Sequence, residues 1–217
     1  MKTEAQLKLD VAEELKWEPS VNATQIGVEV KEGIVTLAGH VESYAEKWNA
    51  EAAAQRVSGV KALAVEMDVK LPGDSRRTDA DIARTAQQAL SWTSCLPKDS
   101  IKIQVEKGFV TLRGEVEWEY QRSVAATAVR HLLGVSGVSD QIAIKHSAAA
   151  PLVKDGIEAA LRRRASSDAQ DISVTVDGAD VTLTGLVHSW SERELARGAA
   201  WSARGVHKVI DQMTLAS

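Results

Sequence analysis

The chain repeats itself three times, and that repeat limits what it can fold into more than any other feature. The strings GIVTLAGHV, GFVTLRGEV and GADVTLTGLV place a glycine at Gly39, Gly114 and Gly185, and a Gly-Val pair follows 20 positions later in each copy, at Gly59, Gly134 and Gly205. Upstream, Leu15, Leu90 and Leu161 each precede that glycine by 24 residues, and Ile26, Ile101 and Ile172 precede it by 13. A fixed period of this size marks tandem units. The 217 residues therefore read as three modules, over 4–71, 78–146 and 149–216, and not as one large enzyme. A unit of ~60 residues buries only about 60% of its unfolded surface, so packing between the copies is expected.

Each copy opens on a helical stripe with apolar residues four apart: Leu7, Val11 and Leu15; Ile82, Ala86 and Leu90; Val153, Ile157 and Leu161. Alternation follows at Ile26, Val28 and Val30, at Ile101, Ile103 and Val105, and at Ile172, Val174 and Val176. A glycine turn and a second alternating run (Val35, Leu37, Val41 in copy one) complete a predicted hairpin. The string of copy three is one residue longer, which predicts an extra residue, Ala179 or Asp180, in its turn. A second helix then buries small residues, such as Ala50, Ala53 and Ala54, which let it lie close to the sheet. Gly59, Gly134 and Gly205 sit where a helix-ending glycine belongs. Gly39, Gly114 and Gly185 fall on the inward face of the second strand and are read as close-approach or bulge positions without catalytic role. A last apolar strand closes each unit. The predicted fold class is α+β, three tandem αββαβ modules, each a small three-stranded mixed sheet with two helices on one face and the other face wet.

Those residues resemble the BON domain, the bacterial module named for osmotically inducible and nodulation proteins. The resemblance rests on Val35-Thr36-Leu37-Ala38-Gly39-His40-Val41 with Gly59-Val60 and Leu63, repeated as Val110, Leu112, Gly114, Val116, Gly134, Val135 and Val138, and as Val181, Leu183, Gly185, Val187, Gly205, Val206 and Val209. It covers almost the whole chain. It implies an αββαβ sandwich without enzymatic activity and a role in osmotic or envelope stress, with an anionic phospholipid surface or an envelope protein as partner. Other members of the family resemble ion-sensing modules, so a cytoplasmic ion-responsive or protein-scaffolding module is the alternative.

The remaining features narrow the chemistry. Net charge is −4, and Lys and Arg outnumber Asp and Glu only within residues 76–147, so nucleic acid is not an expected partner. The single cysteine, Cys95, excludes an intramolecular disulfide. MKTEAQLKLD lacks the apolar core of an export signal, and no apolar run reaches the ~18 residues of a membrane span. A cytoplasmic location is the resulting expectation. No nucleotide-binding, nucleophile or metal motif is present, the five histidines occupy unrelated repeat positions, and no cofactor is expected.

Tryptophan supplies the candidate contact residues: the nine aromatics include six Trp. Trp17 and Trp92 are equivalent and lie two residues past the last inward leucine, about 200° around a helix, so they point away from the module core. They are either an intercopy contact, a membrane or partner anchor, or a cover for the helix end. Copy three has Arg163 there, within Arg162-Arg163-Arg164. Ser43-x-x-Glu46 and Ser189-x-x-Glu192 are capping boxes at the second helix, whereas copy two puts Trp118 at the cap, ahead of Tyr120. Trp118 and Tyr120, with Tyr44, Trp48 and Trp190 in the same region, are candidates for an intercopy contact or a ligand-facing surface.

Overall fold

The computed structural model describes residues 2–145, 157–159, 172–203 and 206–215. Val153, Leu161, Arg162, Arg163, Arg164 and Gly205 lie outside the described residues. Copy one runs α1 (Glu4–Trp17), β1 (Ile26–Lys31), β2 (Ile34–Val41), α2 (Tyr44–Arg56) and β3 (Ala62–Val69). Copy two runs α3 (Asp79–Trp92), β4 (Ile101–Glu106), β5 (Phe109–Val116), α4 (Glu119–Arg130) and β6 (Gly137–Ile144). Copy three shows helical residues at 157–159, then β7 (Ile172–Asp177), β8 (Asp180–Val187), α5 (Trp190–Trp201) and β9 (Lys208–Leu215).

Each copy forms its own three-stranded mixed sheet, with the hairpin antiparallel and the third strand parallel to the second. In copy one the alternation buries Val35, Leu37 and Val41 of β2 against Leu7, Val11 and Leu15 of α1 and Ala50, Ala53 and Ala54 of α2. Copy two repeats this with Val110, Leu112 and Val116 against Ile82, Ala86, Leu90, Ala125 and Val129. In copy three Ile157 joins Val181, Leu183, Val187, Ala196, Ala199 and Ala200. The fold class is that of the sequence reading.

The hairpins are of equal length, which corrects the expectation of an extra residue in copy three. Lys31 pairs with Ile34 and Asp177 with Asp180, so both loops hold two residues. The glycine has moved instead. Glu32-Gly33 and Lys107-Gly108 are left-handed at both positions, the type I′ geometry, whereas in Gly178-Ala179 only the first residue is. That is the type II′ solution, which needs glycine at the first position alone. Both turns match the strand twist, so the register is unaffected.

Gly39, Gly114 and Gly185 share φ values of 137°, 147° and 132°. A Cβ on Gly39 or Gly114 would run into the carbonyl oxygen of Gln25 or Ser100, where the chain enters the first strand. Gly59 lies two residues beyond the Val57 cap of α2, and Gly134 three beyond the His131 cap of α4, so both belong to the link into the third strand and not to the helix end itself. There the link crosses the first helix: a Cβ on Gly134 would meet Arg77 and Ile82.

Leu112 is fully buried at the centre of the copy-two core. Leu112→Ala should cost ~2–5 kcal/mol, measured by urea unfolding, with near-ultraviolet signals of copy two lost first.

Candidate functional site

The first turn of each second helix is built by local hydrogen bonds. Ser43 Oγ accepts the Glu46 N–H, and the Glu46 carboxylate accepts the N–H groups of Asn22 and Glu42. Ser189 and Glu192 repeat the box. In copy two the residue matching Asn22 is Pro97, which has no N–H to give, and the acid becomes Gln121. Gln121 Oε1 accepts the N–H groups of Glu117 and Trp118, and its amide nitrogen donates to the Cys95 carbonyl at 2.7 Å. An amide replaces the carboxylate because the partner has changed from donor to acceptor. Trp118 carries no acceptor, so only the Gln121 half of the box forms.

This turn leans on a neighbouring copy. Tyr44, Glu119 and Trp190 are the same repeat position, the first residue of α2, α4 and α5. Tyr44 packs against the copy-two core, and Arg130 of α4 stacks over Trp48 with its Cζ 3.8 Å from the ring centroid. Trp190 packs against the copy-one core and donates its indole N–H to the Val60 carbonyl at 3.0 Å. Between copies two and three, Arg122 sits 5.8 Å from the Trp201 centroid and Glu119 interacts electrostatically with Arg197. Copy one leans on two, two on three, and three on one. A head-to-tail contact used three times in this order closes into a ring.

The third contact differs from the others because its first helical residue is an acid. Glu119 is mostly buried; one oxygen accepts from Arg122 at 2.8 Å, and the other has no hydrogen-bond partner, nor has Arg197 Nε. A buried group left unpaired costs ~1–3 kcal/mol. Burial raises the Glu119 pKa above the ordinary value, against the pull of Arg122 and Arg197. Burial likewise raises that of Glu51 at the first contact and lowers that of Arg130.

A second charged element escaped sequence reasoning. Asp140 and Asp211 occupy the inward register position that Val65 holds in copy one, opposite Leu112 and Leu183. Each is met by an arginine of the second helix: Asp140 by Arg122 at 3.6 Å, Asp211 by Arg193 at 2.6 Å. Arg193 also lies over Trp190, 5.1 Å from its centroid. The signal was available, since Arg122/Arg193 and Asp140/Asp211 are equivalent pairs, but the apolar pattern of the last strand left that position unassigned.

Trp17 and Trp92 lie away from these contacts and are 83% and 79% exposed. Beyond the last turn of α3, beside Trp92 in sequence, a pocket of about 200 Å³ is lined by Leu90, Leu96, Pro97, Ile101 and Ile103, with Lys98 and Asp99 as its charged residues. Trp118 is half-buried with its ring 6.5 Å from that of Tyr120 in the same turn, and Tyr120 is exposed. Among the described residues no three His, Cys, Asp or Glu side chains are placed to hold a metal ion, and no helix is long and apolar enough to cross a membrane.

A family model of the BON domain matches residues 3–70, 78–146 and 153–217. The chain belongs to the BON domain family. A curated relative, the osmotically-inducible protein Y of Escherichia coli (strain K12), is 27% identical over 130 residues, which cover 58% of this chain and 65% of that protein. The match thus spans less than two thirds of the relative's length. Among solved structures, CdsD, a structural protein of the type III secretion system of Chlamydia trachomatis, is 17% identical over 97% of this chain and 92% of its own, with a TM-score of 0.27. The PrgH periplasmic domain is 14% identical over 89% and 96%, with a TM-score of 0.23. These structural likenesses are too slight to carry an argument.

Two predictions concern the contacts between BON modules. Trp190→Phe keeps the apolar packing and deletes the bond to Val60, so it should cost ~0.5–1.5 kcal/mol; Trp190→Ala should cost more, and calorimetry will rank them. Glu119 has a folded-state pKa above its unfolded value, so its contribution to stability is present below the unfolded pKa and lost as pH rises through the folded one. Glu119→Gln should therefore stabilise the protein at pH 7 but not at pH 3, read from paired urea melts.

Proposed function

We propose that this BON protein serves osmotic or envelope stress by non-enzymatic binding, and that it contacts phospholipid surfaces through Trp17 and Trp92. The observation that carries this reading is their exposure at one repeated position. Tyr44, Trp48, Trp190 and Trp201 face neighbouring modules, while these two indoles face solvent at the ends of α1 and α3. An indole combines an apolar body with a polar N–H and suits the membrane–water boundary. The pocket in the loop after Trp92, where Lys98 and Asp99 balance each other beside an apolar lining, adds a place for an acyl segment. The relative's description as osmotically inducible supports the stress role.

The charge around Trp17 sets the expected lipid dependence. Glu13, Glu14 and Glu18 flank it with Lys16, and Arg56 pairs with Glu14 and Glu18. Insertion of the ring, rather than attraction of a basic patch, supplies the affinity, so salt should have little effect. Co-sedimentation with phosphatidylcholine vesicles, with and without anionic lipid and with and without potassium or calcium, tests this. Trp17→Ala or Trp92→Ala should each weaken binding by about tenfold, the size expected for losing partial burial of one indole. A double variant that binds as well as the parent would remove the reading, and binding that appears only with an added ion would favour the ion-responsive alternative.

A further inference from the structure

We propose that the junction between the second and third BON modules is a gate: the ring opens there while the other two junctions stay closed. This inference is independent of the lipid reading. It rests on the different chemistry that one repeated contact has in its three settings.

At two junctions the leading residue of the second helix is aromatic and lies against the next module's core. Tyr44 does so on copy two and Trp190 on copy one, the latter with its N–H bonded to Val60. At the junction of copies two and three the same position is Glu119, whose second carboxylate oxygen has no hydrogen-bond partner. Across from it Arg197 donates from Nη1 to Glu194 of its own helix and leaves Nε without an acceptor. Arg130 Nε at the first junction also lacks an acceptor, but its guanidinium is stacked on Trp48 at 3.8 Å. At the junction of copies two and three cation and ring change places: Trp201 stands where Arg130 does, and Arg122 lies 5.8 Å from its centroid, near the outer limit of such an interaction.

The charges facing Glu119 do not compensate. Arg122 is shared with Asp140 of its own sheet, and Arg197 is bonded to Glu194 and lies 4.0 Å from Asp211. Arg122 and Arg197 are each bonded to an acid of their own module, and among the described residues no hydrogen bond or ion pair joins Glu119 to copy three. Opening rehydrates the Glu119 carboxylate and uncovers Trp201 and Arg122. Trp118 and Tyr120 stand beside them, at the cap and in the first turn of the same helix.

Glu66, Gln141 and Gln212 are equivalent positions on the exposed sheet faces and give three distances that separate the junctions. In a Cys95→Ser background, spin labels are attached to the full chain at Glu66→Cys with Gln141→Cys, at Gln141→Cys with Gln212→Cys, and at Glu66→Cys with Gln212→Cys. The expected result is one narrow distance for 66–141 and for 66–212, and two populations for 141–212, of which Glu119→Tyr abolishes the longer. A single narrow distance for 141–212, or a second population at either of the other pairs, overturns the proposal. Should Glu119→Tyr fail to fold, the three distances in the unaltered junction still decide it.

Discussion

The second helix of each module has to serve two surfaces at once, and the arrangement of the molecule follows from that. Its inner face is alanine-rich, with Ala50, Ala53 and Ala54 in copy one and Ala196, Ala199 and Ala200 in copy three, so it lies close to the sheet but contributes little apolar volume. A module of this size has a small core to begin with. The outer face and first turn of the helix supply further burial by meeting another copy. Three modules joined head to tail leave no such surface unmatched when the ring closes.

The capping turn is where this double duty shows. The carboxylate of Glu46 ties the start of α2 to the loop after α1, so the helix enters at a fixed angle and Tyr44 is aimed at copy two. Copy two keeps that geometry by another route: Pro97 removes a donor, and Gln121 turns its amide to the Cys95 carbonyl. The backbone frame is conserved among the copies while the leading side chain changes from Tyr to Glu to Trp. One frame with three side chains gives three junctions of different chemistry.

The polar pairs on the inward sheet face belong to the same arrangement. Asp140 is exposed and Asp211 half-buried, so the position beside the helix tolerates a charge. Each also accepts a backbone N–H of its own strand, from Ile142 and from Met213, and each is met by an arginine. Those arginines lie against Trp201 and Trp190, which links the module interior to the junctions. Trp17 and Trp92 take no part in this network, which leaves them available to a surface outside the protein.

Much of this was legible in the chain. Period-two and period-four patterns placed every strand and, among the described residues, the apolar helix stripes, because side-chain direction in a strand or helix follows from local geometry. The inward glycines were legible for the same reason, since only a residue without Cβ fits against the carbonyls of Gln25 and Ser100. The hairpin of copy three was misread because a glycine moved by one place looks like an insertion, although the spacing of 13 from Ile172 to Gly185, equal to that in the other copies, already excluded one. Asp140 and Asp211 were passed over because a pattern of apolar residues says nothing about a partner on another element. The repeat by itself determined three αββαβ modules and the outward direction of Trp17 and Trp92, both properties of one module's backbone. Only the tertiary structure decided that Tyr44, Trp48 and Trp190 face neighbouring copies and that Glu119 stands where an aromatic does elsewhere. Those contacts depend on how separate modules meet, and residues as far apart as Val60 and Trp190 share no local signal.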